Sequence, residues 1–129
     1  MAPGDAPEDR PPGPLADVVV LDLTRVLAGP ICGRALADLG ARVVKVEPPA
    51  GDLSRFSIPR HGPISGYYAQ QNAGKENVSI DLDHPEGRRV LFDLACRADV
   101  VLENFRPGVC AKWGVGYEQV AAENPVSEP

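Results

Sequence analysis

Three short segments of this chain carry residue types that hold ligands or charge. Ala28-Gly29-Pro30 follows a Val- and Leu-rich run and brings backbone amides to what reads as a helix N-terminus. There the peptide dipoles favour an anion such as phosphate or carboxylate. Glu47 closes a second apolar run, followed by Pro48-Pro49-Ala50-Gly51-Asp52. Asn104-Phe105-Arg106-Pro107-Gly108 places an amide, an aromatic face and a cation on one loop, a set able to stack on a purine and pair with phosphate. Lys75 and Lys112 are further candidate phosphate partners. Each piece also has an ordinary reading: a tight turn, a polar loop with one packed Phe, a solvated lysine.

Several chemistries are disfavoured. An acid at the end of a second strand binds ribose in dinucleotide folds, but Gly29-Pro30-Ile31-Cys32-Gly33 lacks the Gly-x-Gly-x-x-Gly spacing that admits a pyrophosphate. Asp22 and Asp52 resemble the acid cluster of phosphoacceptor domains, yet no second acid adjoins Asp22. Cys32, Cys96 and Cys110 are widely spaced, with only His61 and His84 as companions, so no metal site is announced and none is expected. They read as reduced thiols; Cys32, beside the Gly-Pro turn at a helix N-terminus, is the one weighed as a nucleophile. A net charge of −5 argues against nucleic-acid binding through a basic surface. With no apolar run near membrane-spanning length and no apolar leader, the expectation is a cytoplasmic protein without a membrane partner.

The elements that must position these residues alternate. Residues 1–14, with prolines at 3, 7, 11, 12 and 14, read as a disordered leader. Asp17 to Leu23 is a strand apolar on both faces. A helix then starts at Gly29 and Pro30, with proline in the first helical position. It buries Ile31, Ala35, Leu36 and Leu39, and stops at Gly40. Arg42 to Glu47 is the second strand. From Ala50 to Gly74 the chain is irregular, apart from a helical turn over Tyr67 to Gln71. Asn77 to Leu82 is a third strand. Asp83 caps the next helix, with Pro85 in its first turn, Glu86 three residues on, and Val90, Leu91, Leu94 and Ala95 buried. Asp99 to Glu103 is a fourth strand, and Tyr117 to Glu123 a short helix. The order predicts an α/β fold, a parallel sheet with flanking helices. The polar tail 126–129 leaves that sheet incomplete at its C-terminal end, with an open edge prone to association.

In an open parallel sheet, ligands sit beyond the carboxyl ends of the strands, and all three segments lie there. Read in order, the chain is similar to the class III coenzyme A transferase family, which includes formyl-CoA transferases and acyl-CoA racemases. The likeness runs through Leu21-Asp22-Leu23-Thr24, Ala28-Gly29-Pro30 and Leu36 to Glu47. It continues in Asn72-Ala73-Gly74-Lys75, Ser79-Ile80-Asp81-Leu82, Pro85-Glu86-Gly87, Ala98 to Gly108, Gly114-Val115-Gly116-Tyr117 and Asn124-Pro125. It covers about residues 15 to 125.

The resemblance implies a Rossmann-like, CoA-binding domain of an interlocked homodimer. The implied reaction moves CoA between an acyl-CoA and a carboxylic acid, with CoA as substrate and no other cofactor. By position, Val26, Leu27 and Ala28 would line the pocket near the thioester, while Leu82, Asn104 and Phe105 would contact the nucleotide. Lys112, where the family often has an arginine, and Arg106 would meet CoA phosphate. Leu27 stands where the formyl and oxalyl branch has glutamine, which argues against that substrate pair. The aspartate nucleophile of the transferases, and the His and Asp pair of the racemases, would lie beyond residue 129. No catalytic residue is nominated, and the 129-residue chain is expected to be inactive alone. The alternatives are the racemase branch and a non-catalytic CoA-binding or interaction module.

Overall fold

A computed structural model describes residues 12–124. The leader expected over 1–14 lies outside them up to Pro11, as do Pro125 and the tail 126–129.

Four parallel strands form the central sheet: β1 (Val19–Asp22), β2 (Arg42–Glu47), β5 (Glu76–Ser79) and β6 (Val100–Leu102), in the order β5-β2-β1-β6. Val20 sits opposite Val43 on one side and Val100 on the other. The chain adds strands outward from β1 to β5, then crosses back over the sheet to lay β6 on the far side of β1. Crossovers in opposite directions put their helices on opposite faces, and ligands are taken where the direction reverses, here between β1 and β6.

Helix α1 (Ala28–Asp38) covers one face, packing Leu36 and Ala37 on Val20 and Val43. Helices α3 (Pro85–Ala95), α4 (Val109–Lys112) and α5 (Tyr117–Glu123) cover the other, around Leu21, Val46, Leu91 and Ala95. The parallel α/β architecture with flanking helices is therefore the one expected. The stretch after β2 is more ordered than its glycines and prolines suggest. It holds a 3₁₀ turn (Leu53–Phe56), a two-stranded hairpin of β3 (Arg60–His61) and β4 (Ile64–Ser65), and helix α2 (Gly66–Asn72).

Several local expectations are corrected. Helix α1 begins at Ala28, so Pro30 is its third residue, still within the turn whose amides lack intrahelical partners. Its inward side is formed by Pro30, Gly33, Leu36 and Ala37; of the four residues expected there Leu36 alone packs inward, while Ile31, Ala35 and Leu39 are exposed. Gly40 is left-handed as expected, at φ 102°. The third strand ends at Ser79, short of Leu82. His84, not Asp83, caps α3: its Nδ1 accepts from the Glu86 amide at 3.2 Å. Asp83 is exposed. Within α3, Leu91 is fully buried and Val90 is 41% exposed, because one residue's step turns the side chain about a quarter circle away.

Leu91→Ala should lower the unfolding free energy by about 2–5 kcal/mol through the cavity it leaves. Val90→Ala should change it by less than about 0.5 kcal/mol. Urea unfolding of both variants checks the assignment, and equal losses would contradict it.

Candidate functional site

Alternation along the strands decides which side chains meet. Val20, Asp22 and Thr24 share the side facing α1, and so do Val43, Lys45 and Glu47. The part of that side near the strand starts is apolar. The part near the carboxyl ends carries charge: Asp22, Lys45 and Glu47 are buried, as is Asp52 on the loop that follows β2.

Two lysines are the centre of this layer. Lys75, just before β5, has a side chain only 1% exposed. Its Nζ donates to Asp22 Oδ2 at 2.7 Å, the Pro30 carbonyl at 2.8 Å and Asn72 Oδ1 at 2.9 Å. All three protons are used. Gly33 makes this possible, since a Cβ there would lie 2.5 Å from Asp22 Oδ2 and 3.0 Å from Lys75 Nζ. Burial pushes the Lys75 ammonium below its ordinary pKa, against the opposing pull of Asp22. Lys45, equally buried, donates to the Thr24 carbonyl at 2.8 Å and pairs with Asp52 Oδ2 at 3.2 Å.

The carboxylates are saturated with donors. Asp22 Oδ1 accepts from the Thr24 amide at 2.9 Å and from the Thr24 hydroxyl. Asp52 Oδ1 accepts from the Ser54 amide at 2.9 Å and its hydroxyl at 2.8 Å. Glu47 takes Arg55 through Nε at 2.6 Å and a terminal nitrogen at 2.9 Å, the Asn77 amide at 2.6 Å, the Asp52 backbone amide at 2.9 Å and the Tyr68 hydroxyl. Burial alone would raise both acids, but these donors outweigh it. Glu47, bonded by Arg55 and Tyr68, and Asp52, bonded by Ser54 and attracted by Lys45, are both held below the ordinary carboxylate range. The Tyr68 phenol is pushed well up, by burial first and by its bond to Glu47.

Above this layer lies the loop leaving β1. Val26 has φ 68°, the one non-glycine residue with positive φ among the described residues. Its amide points at Asp52, 3.4 and 3.3 Å from the two carboxylate oxygens. Asn104, on the loop leaving β6, brackets Arg25: its Oδ1 accepts from the Arg25 amide and its Nδ2 donates to the Arg25 carbonyl, both at 3.0 Å. The Arg25 guanidinium lies 5.0 Å from the centre of the Phe105 ring, which meets Trp113 edge-on at 5.0 Å.

The segments singled out from the sequence thus converge at the carboxyl ends of β1 and β6. Val26, Leu27 and Ala28 are exposed there, with Leu27 at the N-cap of α1. Arg106 and Lys112 are exposed on the 104–108 loop and the last turn of α4. Phe105 is half-buried beneath Arg25. Leu82 packs on the core around Leu91, with its carbonyl taken by Arg88 Nε at 2.6 Å. One expectation fails: Lys75 is enclosed and spent, not a phosphate partner. Glu47 is saturated, with no oxygen left for a ribose, in keeping with the disfavoured dinucleotide reading. Of the residues not singled out, Lys45 carries a legible signal, a charge at an inward strand position beside Asp22, whereas Ser54 and Arg55 come from the 3₁₀ turn and Tyr68 from α2, where no local pattern marks them. Among the described residues no His, Cys, Asp or Glu cluster is suited to a metal ion, and no helix is long and apolar enough to cross a membrane.

Since their folded pKa values are depressed, Asp52 and Glu47 give stability that is complete above about pH 4 and lost as pH falls through those lower values. Asp52→Asn leaves Lys45 buried without its partner and should cost about 3–5 kcal/mol at neutral pH. The gap between parent and variant in urea midpoint should close in acid. A gap unchanged down to pH 2 would contradict the depressed value.

Comparison with known proteins bears on this arrangement. A family model described as CoA-transferase family III matches residues 15–126. Over 118 residues the chain is 47% identical to the succinyl-CoA–D-citramalate CoA-transferase of Chloroflexus aurantiacus, spanning 90% of this chain and 29% of that protein. It is 44% identical over 109 residues to the human succinyl-CoA:glutarate CoA-transferase, spanning 83% of this chain and 25% of that one. The crystal structure of the Mycobacterium tuberculosis protein Rv3272 superposes with a TM-score of 0.83 at 42% identity, over 90% of this chain and 32% of that one. A CaiB/BaiF family protein from Brucella suis gives the same TM-score at 39% identity, over 88% and 32%. The chain therefore spans about 30% of the length of the relatives it matches.

Proposed function

The chain belongs to CoA-transferase family III, and on that premise we propose that the loops at the carboxyl ends of β1 and β6 hold a CoA thioester. The parent enzyme moves CoA from an acyl-CoA to a carboxylic acid. The observation that carries this reading is the meeting of the loop that bears Val26, Leu27 and Ala28 with Asn104 and Phe105, through Arg25, at the sheet's switch point. Val26 to Ala28 face the thioester end. Asn104 and Phe105 serve the nucleotide indirectly, Asn104 by fixing the Arg25 backbone and Phe105 by carrying the Arg25 guanidinium. Leu82 contributes backbone at the nucleotide end. Arg106 and Lys112, which make no ion pair among the described residues, are cations left for phosphate.

The transferred group exchanges a thioester for a free carboxylate, and covalent catalysis divides that exchange at a nucleophilic acid. The acids under this edge do not suit that task. Asp22 and Asp52 are buried and fully bonded to a lysine and to hydroxyl and amide donors. The nucleophile belongs to the part of the enzyme not represented by these 129 residues. A homodimer and a cytoplasmic setting are part of the same proposal.

Calorimetric titration with CoA tests it. Lys112→Gln and Arg106→Gln should each weaken binding roughly tenfold, the scale of one charge-assisted hydrogen bond. Parent-like binding by both variants would remove the phosphate assignment. The 129-residue chain alone should show no CoA exchange between an acyl-CoA and an acid, and measurable turnover would overturn the placement of the nucleophile outside it.

A further inference from the structure

The three residues leaving β1 are tied down in an unusual way. Thr24, Arg25 and Val26 present three amides and, for the first two, two carbonyls, and each of these five groups is bonded by a side chain. Asp22 takes the Thr24 amide and Lys45 binds the Thr24 carbonyl. Asn104 takes both groups of Arg25, and Asp52 takes the Val26 amide. The clamping side chains come from the end of β1, from β2, from the loop after β2 and from the loop after β6. Thr24 is buried and needs such partners, but Arg25 and Val26 are exposed, and water could satisfy their backbone without Asn104 or Asp52.

What the clamp holds is a strained residue. Left-handed backbone brings Cβ of an L-residue close to the following carbonyl oxygen, and branching at Cβ makes a valine there an outlier. Packing does not compensate, because Val26 remains 44% exposed. Glycine would adopt φ 68° freely. Strain of this kind persists only where the surroundings over-determine it, and it concentrates at ligand sites.

We infer that Asp52, oriented by Ser54 and paired with Lys45, is a positioning residue that holds Val26 left-handed, so that the rim facing the thioester is formed before ligand arrives. The inference rests on the CoA reading for the identity of the ligand, but the clamp itself is a property of the free chain. A preformed rim spares the ligand the cost of ordering the loop. The valine is retained because its isopropyl group is part of the contact surface.

Two substitutions test this in the 129-residue chain. Val26→Gly removes the strain and the isopropyl group together. Its thermal midpoint should rise by roughly 5 °C, while the dissociation constant for CoA rises about tenfold. A substitution that only damaged packing would lower the midpoint instead. Ser54→Ala removes one bond to Asp52 without stranding Lys45. It should keep the fold by circular dichroism, speed hydrogen exchange at the Val26 amide about tenfold and weaken CoA binding. An unchanged or lower midpoint in Val26→Gly overturns the strain. Parent-like exchange at Val26 in Ser54→Ala overturns the role of Asp52. If the parent chain binds no CoA, the function proposed above fails, and the midpoint and exchange results alone then uphold or overturn the clamp.

Discussion

Two ammonium groups buried on one side of a small sheet set the conditions for everything near them. Removing an ion from water costs several kcal/mol even after the protein relaxes, and the cost is offset only where donors and acceptors meet with good geometry. Lys75 meets it with three acceptors drawn from β1, α1 and α2. Lys45 meets it with a carbonyl and a carboxylate from two different loops. Neither lysine can be satisfied unless those five groups are in place, so the loop after β1, the start of α1 and the loop after β2 are fixed together. The requirement is geometric more than it is stabilising, since an apolar pair of similar shape could serve stability as well.

The same requirement explains how a flexible-looking region comes to have structure. Glu47 draws in Arg55 from the 3₁₀ turn and Tyr68 from α2, and the Arg55 guanidinium also stacks 3.9 Å from the centre of the Tyr68 ring. Asp52 begins the 3₁₀ turn by accepting from the Ser54 amide. The segment from Ala50 to Gly74 therefore folds from its polar inward groups. Its apolar side chains face outward: Leu53, Phe56, Ile58 and Ile64 are all more than half exposed.

That inversion marks what the sequence conveys and what it conceals. The parallel order, the start of α3 around Pro85 and the span of α5 follow from apolar periodicity and a proline in the first helical turn, all local signals. The placement of the three singled-out segments was legible too, because the strand order puts them at the carboxyl ends of the strands. Lys75 was not legible. A lysine in Asn72-Ala73-Gly74-Lys75 looks solvated until Asp22, 53 residues earlier in the chain, is known to lie 2.7 Å away. Asp83 and His84 are adjacent and both able to cap, so only the backbone path decides between them. The short helix α4 went unseen for a different reason: four residues are too few to show a period.

Gly33 shows how the buried charge reaches back into sequence choice. Alanine is the better helix former by about 1 kcal/mol, and the middle of α1 is where it should be preferred. Yet the inward side of the helix must pass close enough for the Pro30 carbonyl to reach Lys75 while Asp22 packs beneath, and a methyl group at residue 33 would lie within 2.5 Å of the carboxylate. The glycine is therefore dictated by an ion pair, not by a turn. A spacing of Gly29 to Gly33 that looked like a failed dinucleotide fingerprint has a cause of its own. Helix α1 approaches the sheet to close the lysine's acceptor shell, and its first turn then stands beside the clamped loop, where the exposed side chains of Val26, Leu27 and Ala28 are presented together.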